Sequence, residues 1–470
     1  MKSPKIFLIE VCFFVACYNG AIYCQPQVSL SAVAAMTDTS QLRQIVSNYR
    51  GQEIAAFAQN RIGEILYAER QYDAAEKEFL STHDQYLGQF PERARAAYFL
   101  GKIYFYKQDL SKAKNYLAEY TASKPPGAEA DWGNYYLVRT KFWCGDPDYV
   151  SSVRAYLGSA HPAALSHDPT MHYDLVRYLM DNHKYQDAVS ETQTMASKFP
   201  NDTMTLDAKF KMGEAYGYLN RPKDAVDVFN SIINSSTSAS NSARAYYELA
   251  MAYDYQNDYV DAEKDYGLVS SQFPNETVWT TVSQYFFAMM LRRESLAKPD
   301  SAQLSQKAFD ALNGFITDHP RDIHIPRVLM ALADLYAGKG EYHEACAAYD
   351  QIIAFDTSLV SLKHKGLERS NDIEAHAKLV LQARLSKGNV LLDKIQNPDS
   401  ALAEYQKLAA ADSGNTHVQL KEGMCYMRMG QGDKARQIFN ALITSGSREK
   451  DAALALLQSI SSDSTVTGGK

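Results

Sequence analysis

The sequence predicts an all-α fold, a solenoid of about ten helical hairpins with a capping helix at its C-terminal end. Three observations support this prediction: a pair of residues that recurs at one spacing, small residues at a fixed distance from that pair, and prolines that end the repeating units. The chain has 470 residues, 46% hydrophobic and 22% charged, with a net charge of −7. This composition is that of a folded protein, and it lacks the basic excess expected of a protein that coats nucleic acid.

The first residues are typical of a secretory leader. Lys2 and Lys5 precede an apolar run from Ile6 to Ala16, which Glu10 interrupts. No stretch of about 20 apolar residues follows this run, so we expect an exported chain without a membrane span.

The cleavage site of this leader stays open between two patterns. Residues 14–17 loosely resemble a lipoprotein box, which makes Cys17 a candidate for lipid attachment. Residues 32–34 instead offer the small-x-small pattern of ordinary signal peptidase. We therefore assign residues 1–34 to the leader and leave lipidation as an alternative.

A pair of residues recurs along the rest of the chain. A tyrosine or leucine is followed nine residues later by alanine in seven places. The pairs are Leu66/Ala75, Tyr104/Ala113, Leu179/Ala188, Tyr216/Ala225, Tyr253/Ala262, Tyr336/Ala345 and Tyr426/Ala435. In most units a glycine or alanine stands three residues before the first member, and a large residue stands four residues after the second. These spacings place small and large residues on one face of each of two helices, which can interlock as an antiparallel hairpin.

Prolines and polar turns mark where the helices end. Turns such as 107–109 and 220–222 separate the two helices of a unit. The units themselves end at Pro91, Pro125, Pro200, Pro274 and Pro320, since proline interrupts a helix.

This pattern resembles the tetratricopeptide repeat (TPR) family, whose 34-residue unit shows Leu-Gly-x-x-Tyr, then Ala-x-x-x-Phe, then Pro. The best match combines residues 100–104 with Ala113, Leu117, Tyr120 and Pro125. The resemblance covers about residues 54–446. It implies a right-handed α-solenoid, and it says little about function because such repeats serve many unrelated partners.

The predicted organisation follows from the repeat and its departures. Residues 35–125 hold the N-terminal units, 126–168 a divergent helical hairpin, 169–446 further units with inserts near 292–301 and 357–371, 447–460 a capping helix, and 461–470 a disordered tail.

No motif for chemistry stands out. The sequence has no nucleophile elbow, phosphate-binding loop, dinucleotide-binding glycine pattern or HExxH motif. The cysteines of the body, Cys144, Cys346 and Cys425, lie far apart without CxxC spacing. We therefore expect neither an enzyme nor a cofactor, and no metal site.

The resemblance implies that first helices line a concave groove, with ligand contacts at positions 2, 5, 9 and 12 of each unit. Transferred to this chain, the candidates are Phe57, Asn60, Tyr67, Arg95, Tyr98, Lys102, Phe105, Tyr173, Arg177, Phe210, Arg244, Tyr247 and Arg327. Aromatics mixed with charges suit an extended or helical peptide. The alternative is that several of these rings only pack between neighbouring repeats.

The leading functional hypothesis is a non-catalytic interaction scaffold of a bacterial cell envelope, located in the periplasm or at the outer membrane. Its partners would be one or more envelope proteins, and not nucleic acid. The alternative is a glycan-binding protein of the cell surface, because Trp132, Trp143 and Trp279 could stack on sugars.

Overall fold

The computed structural model describes residues 28–86, 91–124, 128–159, 167–355 and 367–466, and two short strands before them. These strands, β1 (Cys17–Tyr18) and β2 (Ala21–Ile22), pair in antiparallel fashion. The apolar run at residues 6–16 lies outside the described residues. Within the described part, no helix is both long and apolar enough to span a bilayer.

The chain divides into two compact units, residues 1–219 and 220–470. The helices of unit 1 are α1 (Leu30–Ala35), α2 (Thr39–Asn48), α3 (Glu53–Ala68), α4 (Tyr72–Gln85), α5 (Pro91–Tyr106), α6 (Leu110–Ala122), α7 (Ala128–Trp143), α8 (Tyr149–Leu157), α9 (Asp168–Asp181), α10 (Tyr185–Lys198) and α11 (Thr203–Tyr218).

Unit 2 is also built from helices in its described part. They are α12 (Pro222–Ser235), α13 (Ala239–Tyr255), α14 (Tyr259–Gln272), α15 (Thr277–Ala297), α16 (Ala302–Asp318), α17 (Ile325–Lys339), α18 (Tyr342–Ala354), α19 (Leu367–Asp393), α20 (Pro398–Ala411), α21 (Thr416–Arg428), α22 (Gly432–Thr444) and α23 (Lys450–Val466). Along the chain, α3 to α22 form ten successive helix–turn–helix pairs, which confirms the predicted all-α repeat fold.

The turn inside most pairs has a fixed backbone geometry. In each of these turns a single residue, which lies between the two helices, adopts a left-handed backbone conformation. This conformation ends the first helix and allows the chain to reverse. The residues are Arg70, Gln108, Gly145, His183, Asn220, Asn257, Gly340, Gln396 and Gly430. Up to Asn257 they recur every 37 or 38 residues, the same period as the repeat.

The small residues of the repeat admit large side chains from the second helix. A Cβ atom on Gly101 would lie 2.5 Å from Leu117 Cγ, and one on Gly63 would lie 2.7 Å from Phe79 Cε1. Gly423 faces Phe439 in the same way in unit 2. The interlocking of small and large residues is therefore as the spacing predicts.

The predicted leader boundary at residue 34 falls inside α1. Val33 is fully buried with Leu42 and Ile62. Cleavage after residue 34 would remove Val33 from this apolar cluster.

The predicted inserts take a different form in the structure. Residues 292–297 extend α15 to 21 residues instead of forming a loop, because no helix-breaking residue precedes Pro299. Two ion pairs hold this extension: Arg292 to Asp334 at 2.5 Å, and Arg293 to Asp254. Of the second insert, residues 357–366 lie outside the described residues and the remainder begins α19.

The C-terminal boundary also differs from the prediction. The capping helix α23 continues six residues past Ile460 to Val466. No glycine or proline occurs between Ser447 and Gly468, so nothing in this part of the sequence stops the helix at residue 460. Residues 467–470 lie outside the described residues.

Candidate functional site

The first helices of the hairpins in unit 1 lie side by side. Helix α3 contacts α5, α5 contacts α7, and α7 contacts α9. Cationic side chains recur on this face at Lys102, Arg139 and Arg177, with spacings of 37 and 38 residues. We call these three side chains and the aromatic rings that they contact the first-helix row.

Lys102 on α5 lies among four aromatic rings. Its Nζ atom is 5.0 Å from the ring centroids of Tyr67 and Tyr98, and 5.5 Å from those of Phe99 and Tyr136. Burial lowers the pKa of this lysine. Among the residues that the structure describes, no carboxylate pairs with Lys102, so the rings are the principal contacts of its charge.

Arg139 on α7 contacts both rings and a carboxylate. Its guanidinium lies 5.9 Å from the Phe105 ring and 5.5 Å from the Tyr135 ring. Its Nε atom donates to Asp174 Oδ2 at 2.9 Å. The Asp174 side chain on α9 is only 3% exposed, so Arg139 neutralises a carboxylate that has lost nearly all contact with water.

Arg177 on α9 is the third cationic residue of the row. Its guanidinium is 5.2 Å from the rings of Phe142 and Trp143, and its Nη1 atom is 4.0 Å from Asp174 Oδ1. Lys102 and Arg139 follow the same rule: each cation lies on a ring from the end of the preceding first helix. The row is therefore a repeated contact between neighbouring hairpins.

Arg95 lies on the same helix as Lys102 and is fully engaged by acids. Its Nε atom donates to Glu64 Oε1 at 2.6 Å, and its Nη1 atom is 4.0 Å from Glu129 Oε1. Two carboxylates thus oppose one guanidinium, and Arg95 has little capacity for an external anion.

The structure brings six predicted site residues into or beside the row: Tyr67, Arg95, Tyr98, Lys102, Phe105 and Arg177. Tyr98 is only 9% exposed and packs on Tyr120 at 5.0 Å between centroids, as the packing alternative predicts for such rings.

Four other candidates in unit 1 lie outside the row. Asn60 is buried and donates from Nδ2 to the backbone oxygen and the carboxylate of Glu92. Phe210 is fully buried, Phe57 packs on the apolar cluster around α1, and Tyr173 is half-buried. Asn60 and Phe210 therefore present almost no surface to a ligand.

The remaining candidates belong to unit 2. Arg244 lies 5.6 Å from the Trp279 ring, and Tyr247 lies 5.8 Å from the same ring. Arg327 on α17 is exposed.

Sequence reasoning missed Arg139, Tyr135 and Tyr136 because residues 126–168 did not match the repeat. The signal was nevertheless present. Arg139 is 37 residues after Lys102 and 38 before Arg177, so a search for cations at the repeat period finds it.

The tryptophans differ in their surroundings. Trp132 packs on Tyr136 and His167, with centroid distances of 5.9 and 4.2 Å, and Trp279 packs on Tyr247. Trp143 alone among them is exposed, at 45%.

The described residues contain no cluster of three or more side chains that could bind a metal ion. Cys346 and Cys425 are buried and Cys144 is exposed, all as free thiols. Cys17 lies in β1, and its side chain is outside the described part.

Family models described as tetratricopeptide repeat match residues 94–126, 210–276, 326–358 and 396–460. No curated protein matches the sequence. A crystal structure of a tetratricopeptide repeat protein from Parabacteroides merdae is similar at a TM-score of 0.40 and 12% identity, covering 62% of this chain and 98% of that one.

Two further solved structures are similar. The C-terminal part of a TPR repeat-containing protein from Cytophaga hutchinsonii has a TM-score of 0.35 and 14% identity, covering 67% of this chain and 99% of that one. Yeast Tom70 has a TM-score of 0.29 and 14% identity, with coverages of 88% and 97%. The matched repeats and the ten helix pairs agree with each other, and the chain is a member of the tetratricopeptide repeat family.

Proposed function

We propose that this protein is a non-catalytic scaffold of a bacterial cell envelope that holds a partner protein on the first-helix row. Tetratricopeptide repeats generally mediate interactions between proteins, and proteins built from them are typically non-catalytic. To these general properties we add a binding surface, the first-helix row, and a cellular location, the envelope.

The environment of Lys102 supports the first-helix row as the binding surface. A cation that is half-buried against four rings has lost water without gaining a carboxylate among the described residues. Its positive charge is therefore available to a ligand in a partly desolvated setting, where an added contact is stronger than in water.

The location rests on the leader. Lys2 and Lys5 followed by the apolar run are the pattern of an exported chain. The burial of Val33 favours processing before α1, and Cys17 is the lipid-attachment candidate on that side of the helix.

Affinity capture tests the surface. The full chain, a Lys102→Glu variant and a Lys77→Glu control would each serve as bait for an envelope fraction, with captured proteins identified by mass spectrometry. Lys77 is an exposed lysine on α4, a second helix. We expect at least one protein to be lost with Lys102→Glu alone. Equal recovery with both variants would contradict binding on the first-helix row.

Fusion of residues 1–40 to alkaline phosphatase tests the location, because this reporter is active only after export. Fractionation and labelling with radioactive palmitate would follow for the full chain and for Cys17→Ser. Reporter activity without labelling would retain export and reject the lipid anchor. An inactive fusion would reject the envelope location.

The glycan-binding alternative has one favourable observation, the exposed ring of Trp143 next to Arg177. Its test is quenching or a shift of tryptophan fluorescence on addition of glycans, compared with a Trp143→Phe variant. No response to any saccharide would exclude it.

A further inference from the structure

We propose that the partner segment held by the first-helix row is an acidic, extended polypeptide that also carries aromatic or other apolar side chains. This inference rests on the proposed function and specifies the chemistry of the partner at the same surface. It follows from the charge of the row and from the position of the exposed rings.

The exposed aromatic side chains share one place in the repeat. Among the described residues, only four aromatic side chains are exposed: Tyr106, Trp143, Tyr218 and Tyr255. Tyr106, Tyr218 and Tyr255 each come two residues after the tyrosine that marks the repeat, and Trp143 is 37 residues after Tyr106. Burial would normally remove such rings from water, so the exposure of Tyr106 and Trp143 on the neighbouring first helices α5 and α7 of unit 1 indicates a surface that receives a partner.

Two of these rings, Tyr106 and Trp143, are also linked to the row by helical spacing. Tyr106 is four residues after Lys102 on α5, and Trp143 is four residues after Arg139 on α7. Residues four apart lie on the same face of a helix. Two adjacent helices therefore present a cation and an exposed ring together, and the ring of Trp143 also contacts Arg177.

The charge balance of the row favours an anionic ligand. Lys102, Arg139 and Arg177 are three cations, and Asp174 is the carboxylate that two of them share. The row thus keeps positive charge in a chain whose net charge is −7. Glutamate or aspartate side chains would complement it, while apolar side chains of the same segment would cover Tyr106 and Trp143.

An acidic polymer gives a direct test with the full chain. The probe is a fluorescein-labelled random copolymer of glutamate and tyrosine, and binding is measured by fluorescence anisotropy at increasing salt. We expect binding that weakens with salt. Lys102→Met and Arg177→Gln should each weaken it about tenfold, the usual size of one charge-assisted contact.

Matched variants distinguish the contribution of charge to binding from that of the aromatic rings, and both from a loss of folding. Tyr106→Ala should weaken binding of the copolymer more than binding of plain polyglutamate, whereas Lys77→Met should change neither. Circular dichroism melting would show that each variant is folded.

Three results would overturn the inference: a lysine–tyrosine copolymer that binds equally well, unchanged affinity in both cation variants, or preferential binding of polygalacturonate, which would replace the polypeptide with an anionic polysaccharide. A captured protein that requires Lys102 but has no acidic segment would overturn the inference and leave the proposed function intact.

Discussion

Two substitutions on the first-helix row should differ in their effect on stability, since one should change it little and the other should lower it. Lys102→Met removes contacts between a cation and aromatic rings worth about 0.5–2 kcal/mol. The methionine sulfur makes its own ring contacts of about 0.3–1.5 kcal/mol, and no charge remains to be desolvated. We therefore expect the free energy of unfolding to change by less than about 1 kcal/mol.

Arg139→Met differs because it leaves a buried carboxylate. Asp174 would lose the 2.9 Å contact with Nε and keep only Arg177 at 4.0 Å. Breaking a buried pair costs roughly 3–5 kcal/mol. Because the Arg139 side chain is 23% exposed and Arg177 remains near Asp174, we expect a cost of about 3 kcal/mol. Adding Asp174→Asn should recover most of that loss, because the uncompensated charge is gone.

Urea unfolding, followed by circular dichroism, measures these differences. In a Trp279→Phe background, the fluorescence of Trp132 and Trp143 reports on α7 in unit 1 in the same experiment. Equal losses for Lys102→Met and Arg139→Met would refute the reasoning, since they would show that the rings rather than the carboxylate determine the cost. A double variant no more stable than Arg139→Met would refute it as well.

Two further predictions concern the helical core. Burial raises the pKa of Asp265 from 3.8 to about 6, so its contribution to stability is fully present below pH 3.8 and is lost as the pH rises through about 6. Asp265→Asn should raise the free energy of unfolding at about pH 8 by up to ~3 kcal/mol and change it little near pH 4. The control Asp227→Asn, at an exposed position, should show no such difference between the two pH values. An effect of Asp265→Asn that does not depend on pH would contradict burial as the cause. Gly101→Ala should lower the melting temperature, because the added methyl meets Leu117 at 2.5 Å and overpacking costs about 1–3 kcal/mol. Gly267→Ala, which meets no atom within 4 Å, should raise stability by about 1 kcal/mol, and a gain at both sites would disprove the close approach at Gly101.

The repeat pattern carried information about local structure and about neighbouring helices. Gly101 and Leu117 are small and large at fixed positions, so the sequence predicted that they would interlock. The pattern also placed Lys102 and Tyr67 on first helices, where the structure finds them in contact.

The candidate site was predicted less completely than the fold. The position of a residue in the repeat does not indicate how far neighbouring side chains cover it. Tyr98 and Phe210 were therefore candidates although both are buried. The repeat pattern did not predict Arg139 because residues 126–168 lack the tyrosine and alanine pair. Its role depends on Asp174, 35 residues later, and such pairing is not a property of local sequence.

The sequence by itself determined the helical hairpins, their period and the absence of known catalytic motifs, because these follow from spacings within about 40 residues. Only the tertiary structure decided which charges are neutralised. Neighbouring hairpins place a carboxylate beside Arg139 and only aromatic rings around Lys102, among the described residues. The physical reason is that desolvation and charge pairing depend on side chains brought together from separate helices, and a repeat pattern specifies the position of each helix but not the charges that meet between them.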